Sequence, residues 1–317
     1  MSAYAPRRPS RSEFLPVRRL RLHLRRWGNA QADRPPLVLL HGWMDVSASW
    51  QFVVDAMVEP REVVAPDWRG FGLTQTPATD HHAFDDYLAD LDALLDHLSP
   101  AAPVDLVGHS MGGNIAMLYA GARPHRVRRL VNLEGFGLPD TPADEAVARH
   151  TRWLDEVKAL ERGELALAGY DSQEAVARRL MRNNPRITAS RALWLASEWA
   201  RPSEGPDGTE RWRVLGDAAH RVVLPRIFRA DESISHYRAI TCPVLAVHGS
   251  DDSFAARWKG AYDLAEFHRR LQSVPDHRTA CVAGAGHMLQ HDQPEAVARL
   301  IEHFFASGTA PPASREN

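Results

Sequence analysis

Residues 104–118, Val-Asp-Leu-Val-Gly-His-Ser-Met-Gly-Gly-Asn-Ile-Ala-Met-Leu, restrict the fold of this chain more than any other stretch. A short valine-rich run meets Gly108-His109-Ser110-Met111-Gly112, and a helical pattern follows with Ile115, Leu118 and Tyr119 on its apolar side. A serine at that junction sits where a strand turns directly into a helix, and so sharp a turn forces its backbone into a strained conformation. Small neighbours are needed where strand and helix nearly touch, and Gly108 and Gly112 meet that need. A G-x-S-x-G sequence in this strand-to-helix setting presents the serine hydroxyl at the edge of a sheet, which makes Ser110 a candidate nucleophile.

The flanking sequence extends the same alternation. Leu37-Val38-Leu39-Leu40 and Val63-Val64-Ala65 are apolar runs of the kind buried on both faces of a parallel sheet. Between and after them come helical stripes, one carrying Trp50, Val53, Val54 and Met57, the next Tyr87, Leu88, Leu91, Leu95 and Leu98. With a further strand at 127–133, the order predicts an α/β fold with a mostly parallel, doubly wound sheet. The alternation then stops. Residues 135–237 read as helices without strands, an inserted helical cap, before the pattern resumes at 242–249 and closes with a helix starting at Pro294. The expected division is a core of 15–134 and 238–307, a cap of 135–237, and disordered tails at 1–14 and 308–317.

Composition narrows the function. The 317 residues, 44% hydrophobic, suffice for one large core plus an inserted subdomain. A net charge of −2 gives no electrostatic reason to expect nucleic acid as a partner. Two cysteines are too few for a disulfide framework and point to a reducing, cytoplasmic setting. No apolar run approaches the ~20 residues of a membrane span. No cluster has metal-ligand spacing, His81-His82 reading as a solvated pair, so no metal and no cofactor is expected. The expected partner is a small-molecule substrate, and the chain is expected to be a monomer or a homodimer.

A serine hydroxyl needs an adjacent base, and the base an orienting acid. Among sixteen histidines, His287 stands out on the glycine-flanked loop Ala283-Gly284-Ala285-Gly286-His287-Met288 directly after a strand, with His291 as its rival nearer the last helix. Three acids compete at strand ends: Asp251 and Asp252 in Gly249-Ser250-Asp251-Asp252, and Glu134 after Val131-Asn132-Leu133. Two N–H donors must face the developing oxyanion, expected from Met111 at the helix start and Trp43 after the 37–40 strand. His41, Trp43, His109, Trp153, Trp194 and Met288 are candidate lining of the substrate pocket, the cap tryptophans forming an apolar roof.

Val-Leu-Leu-His-Gly-Trp, Pro-Asp-Trp-Arg-Gly-Phe-Gly, Gly-His-Ser-Met-Gly-Gly, Val-His-Gly-Ser-Asp-Asp and Gly-Ala-Gly-His-Met, in that order, resemble the landmarks of the α/β-hydrolase superfamily. The resemblance spans about residues 35–305 outside the cap and implies the α/β-hydrolase fold with its inserted helical cap. It also implies that Asp252 is the acid, although no proline follows it at the family's common position. A serine, not an aspartate, at the elbow argues against haloalkane dehalogenase or epoxide hydrolase chemistry. The expected activity is that of a serine hydrolase on a small to medium, largely apolar ester or related acyl substrate, through a Ser-His-Asp triad and an acyl-enzyme. The alternatives are a C–C bond hydrolase, lactonase or perhydrolase using the same triad, or a non-catalytic ligand-binding protein of the same fold.

Overall fold

The computed structural model describes residues 3–30, 34–204, 208–251 and 258–309. In chain order it runs β1 (Arg11–Val17), β2 (Leu20–Trp27), β3 (Leu37–Leu40), α1 (Gln51–Ala56), β4 (Val63–Pro66), α2 (Phe84–Leu98), β5 (Val104–His109), α3 (Met111–Ala122) and β6 (Val127–Leu133). An insertion follows, with α4 (Ala146–Glu161), β7 (Gly169–Tyr170), α5 (Gln173–Asn183), α6 (Ala189–Trp199), β8 (Ala200–Glu204) and β9 (Glu210–Val214). The chain closes with α7 (Ala230–Ala239), β10 (Val244–Gly249), α8 (Leu264–Leu271), β11 (His277–Val282), α9 (Leu289–Asp292) and α10 (Pro294–Ser307). No described helix is long and apolar enough to cross a membrane.

Eight strands form one sheet in the order β1-β2-β4-β3-β5-β6-β10-β11. The β1-β2 hairpin joins antiparallel at one edge, and the six strands from β4 to β11 are parallel. Because side chains alternate across a sheet, each apolar run supplies both faces. Val38, Leu40, Leu106, Leu130 and Val244 pack with α2, α3, α7 and α8. Leu37, Leu39, Val107, Val131 and Leu245 pack on the other side with α1 and α10. Proline starts α10, and Gly308, at φ 71°, ends it in the left-handed region.

Two boundaries and the make-up of the insertion differ from the sequence expectation. The N-terminal segment is ordered before residue 15: β1 begins at Arg11, and the Tyr4 ring sits edge-on against Phe52 and Trp194 while its hydroxyl donates to Asp55. Burial of an aromatic ring offsets the ordering cost of a tail whose composition alone reads as solvated. The insertion is not purely helical, since β7, β9 and β8 form a small antiparallel sheet. β8, Ala-Arg-Pro-Ser-Glu, carries no apolar alternation, and β9, Glu-Arg-Trp-Arg-Val, alternates only over Arg-Trp-Arg-Val. Finally, α7 starts at Ala230 and packs on α3, with the His236 carbonyl so near Gly121 that a Cβ there would lie 2.3 Å away. The expected cap boundary at 237 therefore falls inside a helix of the core.

Candidate active site

Strand β5 ends at His109 and α3 begins at Met111, so Ser110 makes the turn alone. Its φ of 51° and ψ of −114° are strained for a residue with a side chain. Hydrogen bonds hold the strain in place: the Ser110 N–H donates to the Leu133 carbonyl at 2.8 Å, and the Ser110 carbonyl accepts from the Asn114 N–H at 3.0 Å. A Cβ on Gly108 would lie 2.3 Å from the Gly112 carbonyl oxygen, and one on Gly112 would lie 2.3 Å from that of Leu40. Glycine is thus required on both sides of the serine by backbone contact.

His287 reaches this turn from the loop after β11. Its Nε2 lies 3.0 Å from Ser110 Oγ, and its Nδ1 lies 3.1 Å from Glu134 Oε2. Glu134 follows β6 and is buried; its other carboxylate oxygen accepts the Gly249 N–H at 2.7 Å, and its own N–H donates to Val247 at 2.9 Å. An imidazole with Nδ1–H toward a carboxylate presents an unprotonated Nε2 to the hydroxyl. His109 supports the loop from below, donating from Nε2 to the His287 carbonyl at 2.8 Å while its Nδ1 accepts from Gln290 at 3.2 Å. Burial, together with nearby His287, holds the His109 pKa well below the ordinary histidine value, so it is neutral.

The other acids stand elsewhere. The Asp251 carboxylate is exposed and pairs with Arg186 of the insertion at 2.7 Å. Asp252 lies outside the described residues.

Two chambers meet at Ser110, Trp43 and His287. The first, about 460 Å³, is walled chiefly by Phe84, Tyr87, Phe136, Leu138, Val222 and Trp258. The second, about 400 Å³, has Leu180, Ile187 and Trp199 beside Tyr170, Arg179 and Arg221. Met111 borders the first chamber and Met288 the second. The loop carrying Trp43 runs close over the serine: a Cβ on Gly42 would lie 3.3 Å from Ser110 Cβ. Its indole is 53% exposed and forms the rim.

The model of the alpha/beta hydrolase fold matches residues 35–294. The chain belongs to that family. It is 28% identical to 2-hydroxy-6-oxo-2,4-heptadienoate hydrolase of Pseudomonas putida over 86% of this chain and 89% of that one. It is 27% identical to 2-(acetamidomethylene)succinate hydrolase of Mesorhizobium japonicum, over 93% and 95% respectively. In fold it matches the thioesterase domain from the curacin biosynthetic pathway with a TM-score of 0.76, over 93% of this chain and 99% of that domain at 22% identity.

In this alpha/beta hydrolase, several residues expected in the pocket have other roles. His41 is buried, accepting the Trp68 N–H on Nε2 at 3.0 Å and donating from Nδ1 to Gly42 at 2.7 Å; it fixes the loop and borders neither chamber. His109 touches the second chamber but spends both ring nitrogens on the His287 loop. Trp153 packs edge-on to His81, and Trp194 joins Tyr4 and Phe52; neither lines a chamber. In the expected solvated pair, His82 is in fact buried, stacked on His220 at 4.0 Å and 3.0 Å from Asp217, with both histidines lining the first chamber. The sequence signals the pair of adjacent histidines, but not the insertion residues that cover one of them.

Proposed function

We propose that this hydrolase uses Ser110 as nucleophile, His287 as general base and Glu134 as the acid that orients it, on an ester or related acyl substrate of small to medium size and largely apolar character. The observation that carries the reading is the continuous chain from Ser110 Oγ through the two His287 nitrogens to Glu134 Oε2, at 3.0 and 3.1 Å, opening onto both chambers. As Ser110 Oγ attacks the acyl carbon, His287 Nε2 takes its proton, and Glu134 stabilises the imidazolium that forms. The oxyanion settles between the N–H of Met111, at the start of α3, and that of Trp43. The first N–H groups of a helix have no partner within it and are available for such an anion. The imidazolium passes its proton to the leaving group, and water then repeats the attack on the acyl-enzyme.

Intact mass after exposure to a fluorophosphonate tests this directly. Single labelling of the wild type and none of Ser110→Ala is the expected result; a folded wild type that stays unlabelled overturns the reading and favours a ligand-binding protein.

A second reading, carbon–carbon bond hydrolysis by the same three residues, is favoured by one specific feature. Arg179 and Arg221 border the second chamber, and the substrates in the names of the two relatives above are carboxylates. Turnover of a hydroxy-oxo-dienoate well above that of p-nitrophenyl esters would select this reading over ester hydrolysis.

A further inference from the structure

Four residues beyond His287, in the short helix α9 that follows its loop, stands His291, and six beyond Trp43 stands Ser49; the two are hydrogen-bonded. Ser49 Oγ lies 2.7 Å from His291 Nε2 and donates to Asp45 Oδ1, also at 2.7 Å. Because the hydroxyl proton goes to Asp45, the His291 nitrogen is the donor to Ser49, which fixes that ring as the Nε2–H tautomer. All three side chains are buried. Asp45 Oδ1 also accepts the Val46 N–H at 2.9 Å, so the carboxylate is oriented by two donors. The His291 backbone N–H donates to the Met288 carbonyl at 2.8 Å, which ties the main chain that carries the ring to the residue next to His287.

Resting on the hydrolase reading above, we propose that Ser49 is a positioning residue. By bonding Asp45 of the loop that carries Trp43 and His291 of α9, the helix that closes the His287 loop, it holds the oxyanion donor and the general base in register. These two loops approach Ser110 from opposite sides of the site, one after β3 and the other after β11. The first loop needs such a tie. Met44, between Trp43 and Asp45, sits at φ 56°, a conformation a side chain disfavours, and it is held from the other side by the Trp199 indole N–H on its carbonyl at 2.8 Å. Freed at Asp45, that backbone relaxes and turns the Trp43 N–H away from the oxyanion position. The surroundings of His291 fit a fixed, uncharged hydrogen-bond donor. Its ring packs edge-on to Phe52, and Arg191 lies over that phenyl group. Burial brings its pKa down to about 4, so it does not titrate in the working range.

The effect belongs to kcat. A displaced oxyanion donor weakens transition-state contacts, and Ser49 itself lines neither chamber, although Asp45 and His291 border the second, so Ser49→Ala is the cleaner reading of KM. The test measures kcat and KM with a p-nitrophenyl ester, together with thermal unfolding, for Ser49→Ala, His291→Leu and His291→Gln. A glutamine amide can donate from about the place of the imidazole Nε2, so it restores the tie without the ring. The expected result is kcat lowered tenfold or more in Ser49→Ala and His291→Leu with KM within twofold, and His291→Gln within threefold of wild type. The inference is overturned if folded Ser49→Ala keeps kcat within twofold, or if His291→Gln is as impaired as His291→Leu. Should Ser49→Ala not fold, the two His291 variants decide alone. Loss of fluorophosphonate labelling in the wild type would instead sink the hydrolase reading itself, and the two failures are thereby distinct.

Discussion

Ser110 and Glu134 share an uncommon backbone, with φ of 51° and 55° on residues that carry side chains. Each such conformation costs on the order of 1–3 kcal/mol and persists only where the surrounding structure over-determines it. Both residues end a parallel strand, and His287 lies between their side chains. If Glu134 orients the imidazole, Glu134→Gln keeps its size while removing the charge that stabilises the imidazolium. Its labelling rate and kcat should fall by roughly 10²–10⁴-fold, judged from the comparable change in a well-studied triad. Asp252→Asn should stay near wild type, and stopped-flow labelling of the two variants side by side checks the assignment; the reverse pattern would return the role to Asp252. Ser110 and His287 were legible in the sequence because their signals are local, glycines around a strand-to-helix turn and a glycine-rich loop after a strand. Glu134 was visible only as a third contender. What brings it against the histidine loop is the pairing of β6 with β10, in which Leu133 lies opposite Val247, so that the next residue meets Gly249. That register is a tertiary fact.

Among the elements, the contact between β3 and α3 leaves no room for an added side chain. Gly112 in the first turn of α3 has no room for a Cβ, because its nearest neighbours are the Leu40 and His41 carbonyl groups and not movable side chains. Gly112→Ala must push the helix off the strand, and overpacking of this kind typically costs about 1–3 kcal/mol. Displacement of the α3 N-terminus also moves the Met111 N–H. The variant is therefore expected to unfold at lower temperature and to label at least tenfold more slowly, as calorimetry and intact mass would show. Normal labelling in a merely destabilised variant would mean that the helix start does not serve the oxyanion. The core elements were readable because apolar runs and 3.6-residue stripes are strong where a strand or helix is buried on the sheet. The insertion was readable only for its helices. Ala-Arg-Pro-Ser-Glu pairs at the surface with no alternation to separate it from a loop, whereas the Arg-Trp-Arg-Val alternation of β9, whose Trp212 and Val214 pack inward, is a strand signal too short to stand out among the helical stripes. Tyr4 was missed for a related reason: its partners Phe52 and Trp194 come from distant parts of the sequence.

At the scale of the whole molecule, a set of buried histidines makes stability depend on pH. Burial is the leading cause of a lowered pKa at His41 and His291, both to about 4, at His220, to about 3, and at His109, well below the ordinary value. In the unfolded chain each returns to about 6.5. Between those limits the unfolded state binds more protons, so this contribution to stability is complete above pH ~6.5 and is lost as the pH falls toward 4. Asp45 acts in the opposite sense. Its burial raises the carboxyl pKa to about 7, so the folded state binds a proton the unfolded state releases, and that contribution fades as the pH rises from about 4 to 7. Asp292 is also raised by burial, so four buried histidines oppose two aspartates; each proton of difference is worth about 1.4 kcal/mol per pH unit, and the histidines prevail. Thermal unfolding at constant ionic strength should show the midpoint dropping steadily from pH 6.5 to 4.5 and changing little from 7 to 8. His41→Gln, which removes one of the four titrating groups but retains an amide for the Trp68 and Gly42 contacts, should lower the midpoint at pH 7 and flatten the acid limb. A midpoint independent of pH between 4.5 and 6.5 would mean that these imidazoles are not held neutral in the folded chain. The structural part assigned to His41, His109 and His291 in fixing the loops around Ser110 would then fail with it.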